Sequence, residues 1–274
     1  MAEIRHSRDK GLPLCMMHNE GLDLKTRLLA PFFPRYKSTL AARKMPDEMR
    51  TIMQNLVMTE DRRFLFLRNQ KAGCTSIAQL MYAYTTGDFY SRTIHRARTG
   101  IHLARYDWDL IQSVYQAGTA TLFTFVRDPE SRVYSSFRNF LVDRSNLALR
   151  KHWQPLLANG YDPDGDHVRN FDVFLDYIER CLDLDPYLTD THFRPQVLNI
   201  AYGKIDYDFI GRLENIGHDL PRVFALGGRP EFPPAEIMDH RFNASQVKPA
   251  PLTPEQRKRV RQIFAADYEA FSYD

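Results

Sequence analysis

A cationic, hydroxyl-bearing stretch between an apolar run and a helical pattern is the part of this sequence best suited to chemistry. It reads Arg68-Asn-Gln-Lys-Ala-Gly-Cys-Thr-Ser76 and follows the short apolar run Phe64–Leu67, which indicates a buried strand. Apolar residues then recur at helical spacing from Ile77 to Tyr84, and Gly87 supplies a stop. A strand, a cationic glycine-containing loop and a helix N-terminus together predict an anion site, because the first N–H groups of the helix and its dipole face the anion.

The spacing within this stretch differs from that of a Walker A loop, which needs G-x-x-x-x-G-K-[ST]. Here Gln70 precedes Lys71, and the hydroxyls of Thr75 and Ser76 come four and five residues after the lysine. Taken alone, the stretch is explained equally well as an ordinary strand–loop–helix with a solvated lysine.

A second strand–turn–helix pattern occurs at Phe125-Val-Arg-Asp-Pro-Glu-Ser-Arg-Val-Tyr-Ser-Ser-Phe-Arg138. Asp128 is a natural N-cap, and Pro129 suits the first helical position. Arg127 at the strand end and Ser135 two turns into the helix can converge on one phosphate, the arginine through a forked contact. Arg132 and Arg138 are expected to extend the cationic side of this helix. The sequence therefore predicts two anion-binding turns.

Together the two stretches resemble the nucleotide-binding signatures of the carbohydrate sulfotransferases (sulfotransferase family 2), which include the chondroitin, dermatan and HNK-1 sulfotransferases. In that family R-N-x-K-x-G-C-T-S binds the 5′-phosphosulfate of PAPS, 3′-phosphoadenosine 5′-phosphosulfate. The second signature, F-V-R-[DE]-P-x-x-R-x-x-S-x-[YF]-R, binds the 3′-phosphate. The resemblance implies PAPS as donor, PAP as product and no metal.

The resemblance also implies which residues hold the donor. Those expected at the 5′-phosphosulfate are Arg68, Lys71, Ala72, Gly73, Cys74, Thr75 and Ser76, and those expected at the 3′-phosphate are Arg127 and Ser135. Ser136 is a possible hydroxyl as well, although the family spacing favours Ser135. Lys71 is expected to be catalytic, stabilising charge on the bridging oxygen, whereas Cys74 is expected to be a loop residue and not a nucleophile.

Sulfuryl transfer to a hydroxyl also needs a base, and histidine has a suitable pKa near neutrality. His102 is the first candidate, because its segment resembles the family's stretch just before the second signature, and His95 is the second. A solvated loop histidine is the alternative for each. The nearby Arg92, Arg96 and Arg98 suit an anionic acceptor such as a uronate-bearing glycan, unless they form only a solvated basic loop.

Length and composition indicate an ordinary globular protein. The 274 residues suit one large α/β domain or at most two smaller ones. The chain is 43% hydrophobic and 26% charged, and its net charge of +3 gives no argument for a nucleic-acid partner. No apolar run approaches the length of a membrane span.

Cysteine usage and the first residues bear on the compartment. Three widely spaced cysteines do not form a disulfide framework and fit a reducing environment, and the first residues lack the apolar segment of a signal peptide. Animal members of the family are Golgi type II membrane proteins. Because this sequence shows no such anchor, the expectation is a cytoplasmic bacterial relative, or the luminal part of a longer Golgi-type protein.

The expected organisation is an irregular N-terminal arm, residues 1–45, followed by a single sulfotransferase domain, residues 46–274. Beyond the signatures, Thr191–Gln196 resembles the family's H-W-x-P segment, and Tyr268–Tyr273 resembles its ending. The resemblance covers about residues 60–273. The final helix is expected to line one face with four apolar residues, namely Val260, Ile263, Phe264 and Tyr268.

The expected fold is α/β and P-loop-like, with three layers and a central, mostly parallel sheet flanked by helices. The expected activity is in-line transfer of a sulfuryl group from PAPS to a carbohydrate hydroxyl. Two alternatives stay open. A P-loop-type small-molecule kinase would need Mg²⁺, for which Asp206 and Asp208 are conceivable ligands, and a non-catalytic nucleotide- or glycan-binding protein would bind PAP without transfer.

Overall fold

The computed structural model describes residues 2–17, 24–96, 99–101, 107–238 and 252–274. In chain order its strands are β1 (Glu3–His6), β2 (Pro13–Met16), β3 (Leu56–Met58), β4 (Phe64–Leu67), β5 (Thr121–Val126) and β6 (Phe209–Arg212). Its helices are α1 (Leu24–Leu29), α2 (Pro34–Lys44), α3 (Asp47–Asn55), α4 (Cys74–Thr86), α5 (Trp108–Ala117), α6 (Pro129–Phe137), α7 (Leu149–Ala158), α8 (His167–Leu184), α9 (Gln196–Asn199), α10 (Ile216–Leu226), α11 (Ala235–Met238), α12 (Pro254–Ile263) and α13 (Ala265–Phe271).

The chain divides into two compact units, each built from separate segments. The sheet unit comprises Gly21–Arg127 and Asn199–Gln246, and the helical unit comprises Met1–Glu20, Asp128–Leu198 and Val247–Asp274. Within the segment expected to be an irregular arm, the structure has the strands β1 and β2 and the helices α1 and α2. The boundary at residue 45 stays a prediction.

The sheet unit contains a four-stranded sheet in the order β3-β4-β5-β6. Strand β3 runs antiparallel to β4, whereas the β4–β5 and β5–β6 pairs are parallel. Parallel neighbours align their carboxyl ends, so the loops that follow β4, β5 and β6 leave the sheet on the same edge. The predicted class, an α/β fold with a mostly parallel sheet and flanking helices, is confirmed.

Aromatic side chains form the core on one face of this sheet. Phe64 and Phe66 of β4 and Phe123 and Phe125 of β5 are each fully buried, and apolar residues of α4 and α10 pack against them. Residues two apart on a strand point to the same face, which is why each strand supplies two of these rings. This packing fixes α4 to the sheet, directly after the predicted anion loop.

The helical unit is organised around α8, whose apolar face is buried against β2 and α12. Strands β1 and β2 pair antiparallel, with Glu3 opposite Met16.

The prediction of a single final helix is wrong. Phe264 has φ −110° and ψ 25°, so helix α12 ends there and α13 begins as a separate helix. Among the described residues, no helix is both long enough and apolar enough to cross a membrane.

Candidate active site

The loop between β4 and α4 turns sharply through two left-handed residues. Lys71 has φ 66°, and Gly73 has φ 78° with ψ 10° and serves as the N-cap of α4. The Ala72 N–H donates to the Asn69 carbonyl at 3.2 Å, which closes the turn. A tight turn directly before a helix leaves the first helical N–H groups facing outward, which is the arrangement that binds anions.

Glycine is favoured at position 73 for two independent reasons. Its positive φ is unfavourable for residues that carry a side chain. In addition, a Cβ at this position would lie 2.7 Å from Cδ1 of Leu213, in the loop after β6. The close approach means that the loops after β4 and β6 pack directly on each other.

Asn69 fixes the loop to its neighbours and was missed as a site-building residue in the sequence. Its side chain is fully buried, and its amide donates to the carbonyl of Phe125 at 3.1 Å. Its Oδ1 accepts from the amide of Asn199 at 3.2 Å. The sequence did contain a signal, because Asn69 is a polar residue only two positions after a buried strand. An amide that is buried there has to be hydrogen-bonded, and it therefore connects neighbouring segments.

The Arg68 guanidinium is a buried structural cation, only 4% exposed. Its Nε and Nη2 donate to the carbonyls of Asn55 and Gln54, each at 3.1 Å. Its Nη1 lies 3.0 Å from Nδ1 of His95. Arg68 therefore organises the protein groups around the loop, and its predicted direct contact with the phosphosulfate stays a prediction.

The side chain of His95, a residue that comes after α4 in the sequence, lies beside the first turn of that helix. Its Nε2 is 2.8 Å from the Thr75 hydroxyl and 3.9 Å from the Cys74 sulfur. The ring is half-buried, as are the side chains of Cys74, Thr75 and Ser76. The second candidate base thus contacts two of the residues predicted to hold the donor. His102, the first candidate, lies outside the described residues.

Arg127 brings the second signature to the same loop. It follows the last residue of β5, and its Nη1 donates to the carbonyl of Lys71 at 3.3 Å. Two stretches that are 56 residues apart in the chain therefore meet within the sheet unit. The cationic groups of Lys71 and Arg127 both belong to this edge of the sheet.

The remainder of the second signature belongs to the helical unit. As predicted, Asp128 caps α6, where its side chain accepts from the Ser131 N–H at 2.8 Å, and Pro129 is the first helical residue. The Ser136 hydroxyl donates to the carbonyl of His192 at 2.8 Å, whereas Ser135 is half-buried. Ser136 is thus engaged inside the protein, which favours Ser135 as the ligand, and that assignment stays a prediction.

Two arginines of this helical segment do not extend a cationic surface, contrary to expectation. Arg132 is 1% exposed and donates to the Thr191 carbonyl at 3.1 Å. Arg138 is 7% exposed and pairs with Asp143 at 3.5 Å. Buried arginines are satisfied by carbonyls and carboxylates of the protein itself, so both have structural roles.

A buried histidine–carboxylate cluster lies in the helical unit. Asp190 is 3.2 Å from His152 and 2.6 Å from His192. Burial by itself lowers the pKa of His152, but the hydrogen bond and charge of Asp190 outweigh it and raise that pKa to about 9. Burial likewise raises the pKa of Asp190, but the two histidines outweigh it and hold that pKa well below its usual range.

One of the two aspartates named as conceivable Mg²⁺ ligands for the kinase alternative, Asp208, has a structural role. The described residues contain no group of three or more histidine, cysteine, aspartate or glutamate residues that could hold a metal. Asp208 is engaged at the start of β5, where its carboxylate accepts from the Leu122 N–H at 2.7 Å. The Asp208 N–H donates in turn to the Leu122 carbonyl at 2.9 Å, so this carboxylate fixes strand pairing.

The sequence matches a known protein family and several of its members. The model of the "Sulfotransferase family" matches residues 54–274. The chain is 25% identical over 245 residues to carbohydrate sulfotransferase 9 of Homo sapiens, which covers 79% of this chain and 53% of that protein. It is 25% identical over 194 residues to carbohydrate sulfotransferase 14 of Danio rerio, covering 68% of this chain and 52% of that one.

A third relative, carbohydrate sulfotransferase 12 of Xenopus laevis, is 29% identical over 173 residues, which cover 56% of this chain and 40% of that protein. The chain spans about half the length of the curated relatives it matches. No solved structure gives a significant match.

Proposed function

The chain belongs to the sulfotransferase family, and we propose that it transfers a sulfuryl group from PAPS to a hydroxyl of a carbohydrate acceptor. The observation that carries the proposal is the hydrogen bond from Arg127 to the Lys71 carbonyl. It brings together the two stretches whose residues resemble the donor-binding signatures. The carbohydrate acceptor is inferred from the names of the relatives.

The loop before α4 suits the 5′-phosphosulfate of the donor. The backbone N–H groups of Gly73, Cys74 and Thr75 would face its oxygens, and the Lys71 ammonium would supply a full positive charge. Because Gly73 has no side chain, the turn stays tight enough for the helix N-terminus to approach the anion. Ala72 is fully buried and Ser76 is half-buried, so Ala72 contributes backbone and Ser76 a hydroxyl.

Arg127 is assigned to the 3′-phosphate, together with Ser135. An arginine can make a forked, charge-assisted contact with phosphate, which distinguishes PAP from nucleotides that lack the 3′ group. Arg127 belongs to the sheet unit and Ser135 to the helical unit. Their joint contact with one phosphate is therefore proposed from the signature alone.

The proposed chemistry is in-line transfer, with positioning and charge stabilisation as the main contributions of the protein. Lys71 stabilises the negative charge that develops on the oxygen between sulfur and phosphorus, an effect largest in the transition state. A histidine takes the proton of the acceptor hydroxyl, and we assign that role to His102. No metal is assigned to the reaction.

An anionic glycan is the proposed acceptor class. Arg92 is exposed in the segment that leads to His95 and can pair with a uronate or sulfate on the acceptor. The side chain of Arg96 and the whole of Arg98 lie outside the described residues, so their part in this contact rests on the sequence.

The proposed compartment is the cytoplasm, with the Golgi lumen as the alternative. Cys15, Cys74 and Cys181 are all free, and two of them are buried, which fits a reducing environment. A tagged chain in its own organism, tested by protease protection, distinguishes the two. Protection inside sealed vesicles would favour the lumen.

Thermal unfolding with three nucleotides tests donor binding. PAP should raise the melting temperature measurably more than AMP or ATP at the same concentration, because a ligand with a lower dissociation constant stabilises the folded state more, and PAP alone of the three carries a 3′-phosphate. AMP is the matched control, since it differs from PAP by that phosphate. Equal stabilisation by all three nucleotides would contradict the role assigned to the second signature.

A further inference from the structure

A continuous chain of side-chain hydrogen bonds runs from the buried Arg68 to the start of α4. The guanidinium of Arg68 is held by the carbonyls of Asn55 and Gln54, and its Nη1 reaches Nδ1 of His95 at 3.0 Å. The other ring nitrogen, Nε2, reaches the Thr75 hydroxyl at 2.8 Å. Thr75 is the second residue of α4.

The chemistry of the groups fixes the direction of every bond in this chain. A guanidinium carries only donors, so Nδ1 of His95 has to accept the Arg68 N–H and cannot carry a proton. The neutral ring then has its proton on Nε2, and Nε2–H donates to the oxygen of Thr75. The Thr75 hydroxyl receives this bond on a lone pair and keeps its own hydrogen for an acceptor elsewhere.

From this direction we propose that His95 is a positioning residue, which orients the Thr75 hydroxyl as a donor to the anionic group bound at the N-terminus of α4. The proposal rests on the proposed function, because that function identifies the anion as the phosphosulfate. The same geometry disfavours His95 as the base. One ring nitrogen is occupied by Arg68 and the other is protonated, so the ring has no lone pair to offer to an acceptor hydroxyl.

This chain of hydrogen bonds also explains why an arginine is buried next to the proposed phosphosulfate loop. The positive charge of Arg68 polarises His95, and His95 in turn polarises the Thr75 O–H, so each bond strengthens the next. A buried cation can thereby act on the ligand without contacting it. Arg68 is then an indirect contributor to the phosphosulfate site, through His95 and Thr75.

Three substitutions at position 95 separate the donor role from the base role. His95→Gln retains one acceptor and one donor in an amide that cannot act as a base. His95→Asn offers the same groups on a shorter side chain that reaches Arg68 but not Thr75. His95→Ala removes both groups. The measurements are the dissociation constant of PAP and the kcat and KM for PAPS in a sulfate-transfer assay.

If His95 positions Thr75, His95→Ala should weaken PAP binding by about tenfold to a hundredfold, the range for a hydrogen bond to a charged group. His95→Gln should recover most of that loss, and His95→Asn should recover little. If His95 is instead the base, Gln and Ala should both abolish turnover while PAP binding stays intact. That second pattern would overturn the proposal.

Substitutions of Thr75 test the other end of the hydrogen-bond chain. Thr75→Val removes the hydroxyl and should reproduce the loss of PAP binding seen in His95→Ala, whereas Thr75→Ser should retain most of the binding. The double variant His95→Ala with Thr75→Val should be no weaker than either single variant, because both act through one hydroxyl. If the losses of PAP binding add in the double variant, the two residues do not act through one chain of hydrogen bonds.

A measurement without any ligand separates this inference from the proposed function. Nitrogen-15 NMR of the ligand-free protein reports which ring nitrogen of His95 carries the proton, and the structure predicts a proton on Nε2 and a bare Nδ1. The opposite tautomer would overturn the inference even if PAP binds. Failure of the wild-type protein to bind PAP, with the predicted tautomer present, would count against the proposed function alone.

Discussion

Lys71 combines a left-handed backbone with the charge that we assign to the bridging oxygen of the donor. Its φ of 66° is unusual for a residue with a side chain and costs on the order of 1–3 kcal/mol. The hydrogen bond from Arg127 to its carbonyl and the buried loop around it hold this conformation. The loop keeps this strained backbone although it costs stability. This fits the proposal that the position of Lys71 is needed for donor binding or transfer.

Replacing Lys71 with alanine tests its assigned role. Alanine tolerates the same backbone conformation no worse than lysine, so the change removes mainly the charge. We expect turnover to fall by orders of magnitude while PAP binding weakens much less, because the charge is needed most as the bridging bond breaks. Steady-state kinetics with PAPS and calorimetry with PAP measure the two effects, and Lys204→Ala at an exposed lysine is the control.

A small and equal reduction of turnover and PAP binding in Lys71→Ala would mean that Lys71 only binds the donor.

His102 is the residue assigned to the acceptor's proton. His102→Ala should abolish most turnover and leave stabilisation by PAP intact. It should also remove an inflection near pH 6.5 from the acid limb of the rate profile, since a base has to be unprotonated to act. The pH dependence of kcat/KM checks this. Near-normal turnover with an unchanged profile would place the base elsewhere.

At the scale of elements, helix α4 is bounded by two glycines with similar backbones and different surroundings. Gly73 has φ 78° and Gly87 has φ 81°, so alanine is strained at either end. A Cβ at Gly73 would lie 2.7 Å from Leu213, whereas one at Gly87 meets nothing within 4 Å. The two positions therefore separate backbone strain from the shape of the anion loop.

We expect Gly73→Ala and Gly87→Ala each to lose about 1–2 kcal/mol of stability through the left-handed backbone, with a further loss at Gly73 from the clash. PAP binding should collapse in Gly73→Ala and stay near normal in Gly87→Ala. Urea unfolding and PAP titration of both variants are the measurements. Retained PAP binding in Gly73→Ala would show that the tight turn is not needed for the donor.

The element boundaries also show what local sequence can predict. The strand Phe64–Leu67, the stop of α4 at Gly87 and the cap at Asp128 depend on short-range patterns, and the structure has all three. The burial of Arg132 and Arg138 depends on which distant carbonyl or carboxylate lies opposite, which a periodic pattern does not encode. For this reason the helix was predicted correctly and its cationic surface was not.

The same distinction applies to the site. The strand–loop–helix from Phe64 to Thr86 could be predicted because its residues are contiguous, and the position of Arg127 beside it could be predicted because parallel strands align their carboxyl ends. Anion binding by this loop stays a prediction. The contacts of His95 with Arg68 and Thr75 join residues 27 and 20 positions apart. Their pairing depends on how the segment after α4 folds back, so the sequence offered His95 only as a candidate base and gave no sign of these two contacts.

At the scale of the whole molecule, the buried His152–Asp190 pair makes stability depend on pH. A histidine whose pKa is raised from about 6.5 in the unfolded chain to about 9 in the folded one binds its proton more tightly when folded. Its contribution to the free energy of unfolding is fully present below pH 6.5 and is lost as pH rises through 9. Each unit of that shift corresponds to about 1.4 kcal/mol.

Urea unfolding at pH 6.5 and pH 9.5 should therefore show a larger loss of stability in the wild-type protein than in His152→Gln. The variant lacks the titrating ring, so it reports the contribution of all other groups. His218→Gln is the matched control, because His218 also lies beside a carboxylate, Asp219, but its side chain is 73% exposed. It controls for the loss of a histidine from a site that is not buried. An unchanged slope in His152→Gln would contradict a raised pKa at His152.

Transfer of radiolabelled sulfate from PAPS to a panel of glycans tests the central claim most directly. The panel should include uronate-bearing and neutral chains, and the assay should be run with the wild-type protein and with Lys71→Ala. The proposed function predicts labelled product on at least one glycan with the wild-type protein and almost none with the variant. Tight binding of PAP with no label on any glycan, or transfer of the γ-phosphate of ATP in the presence of Mg²⁺, would contradict it.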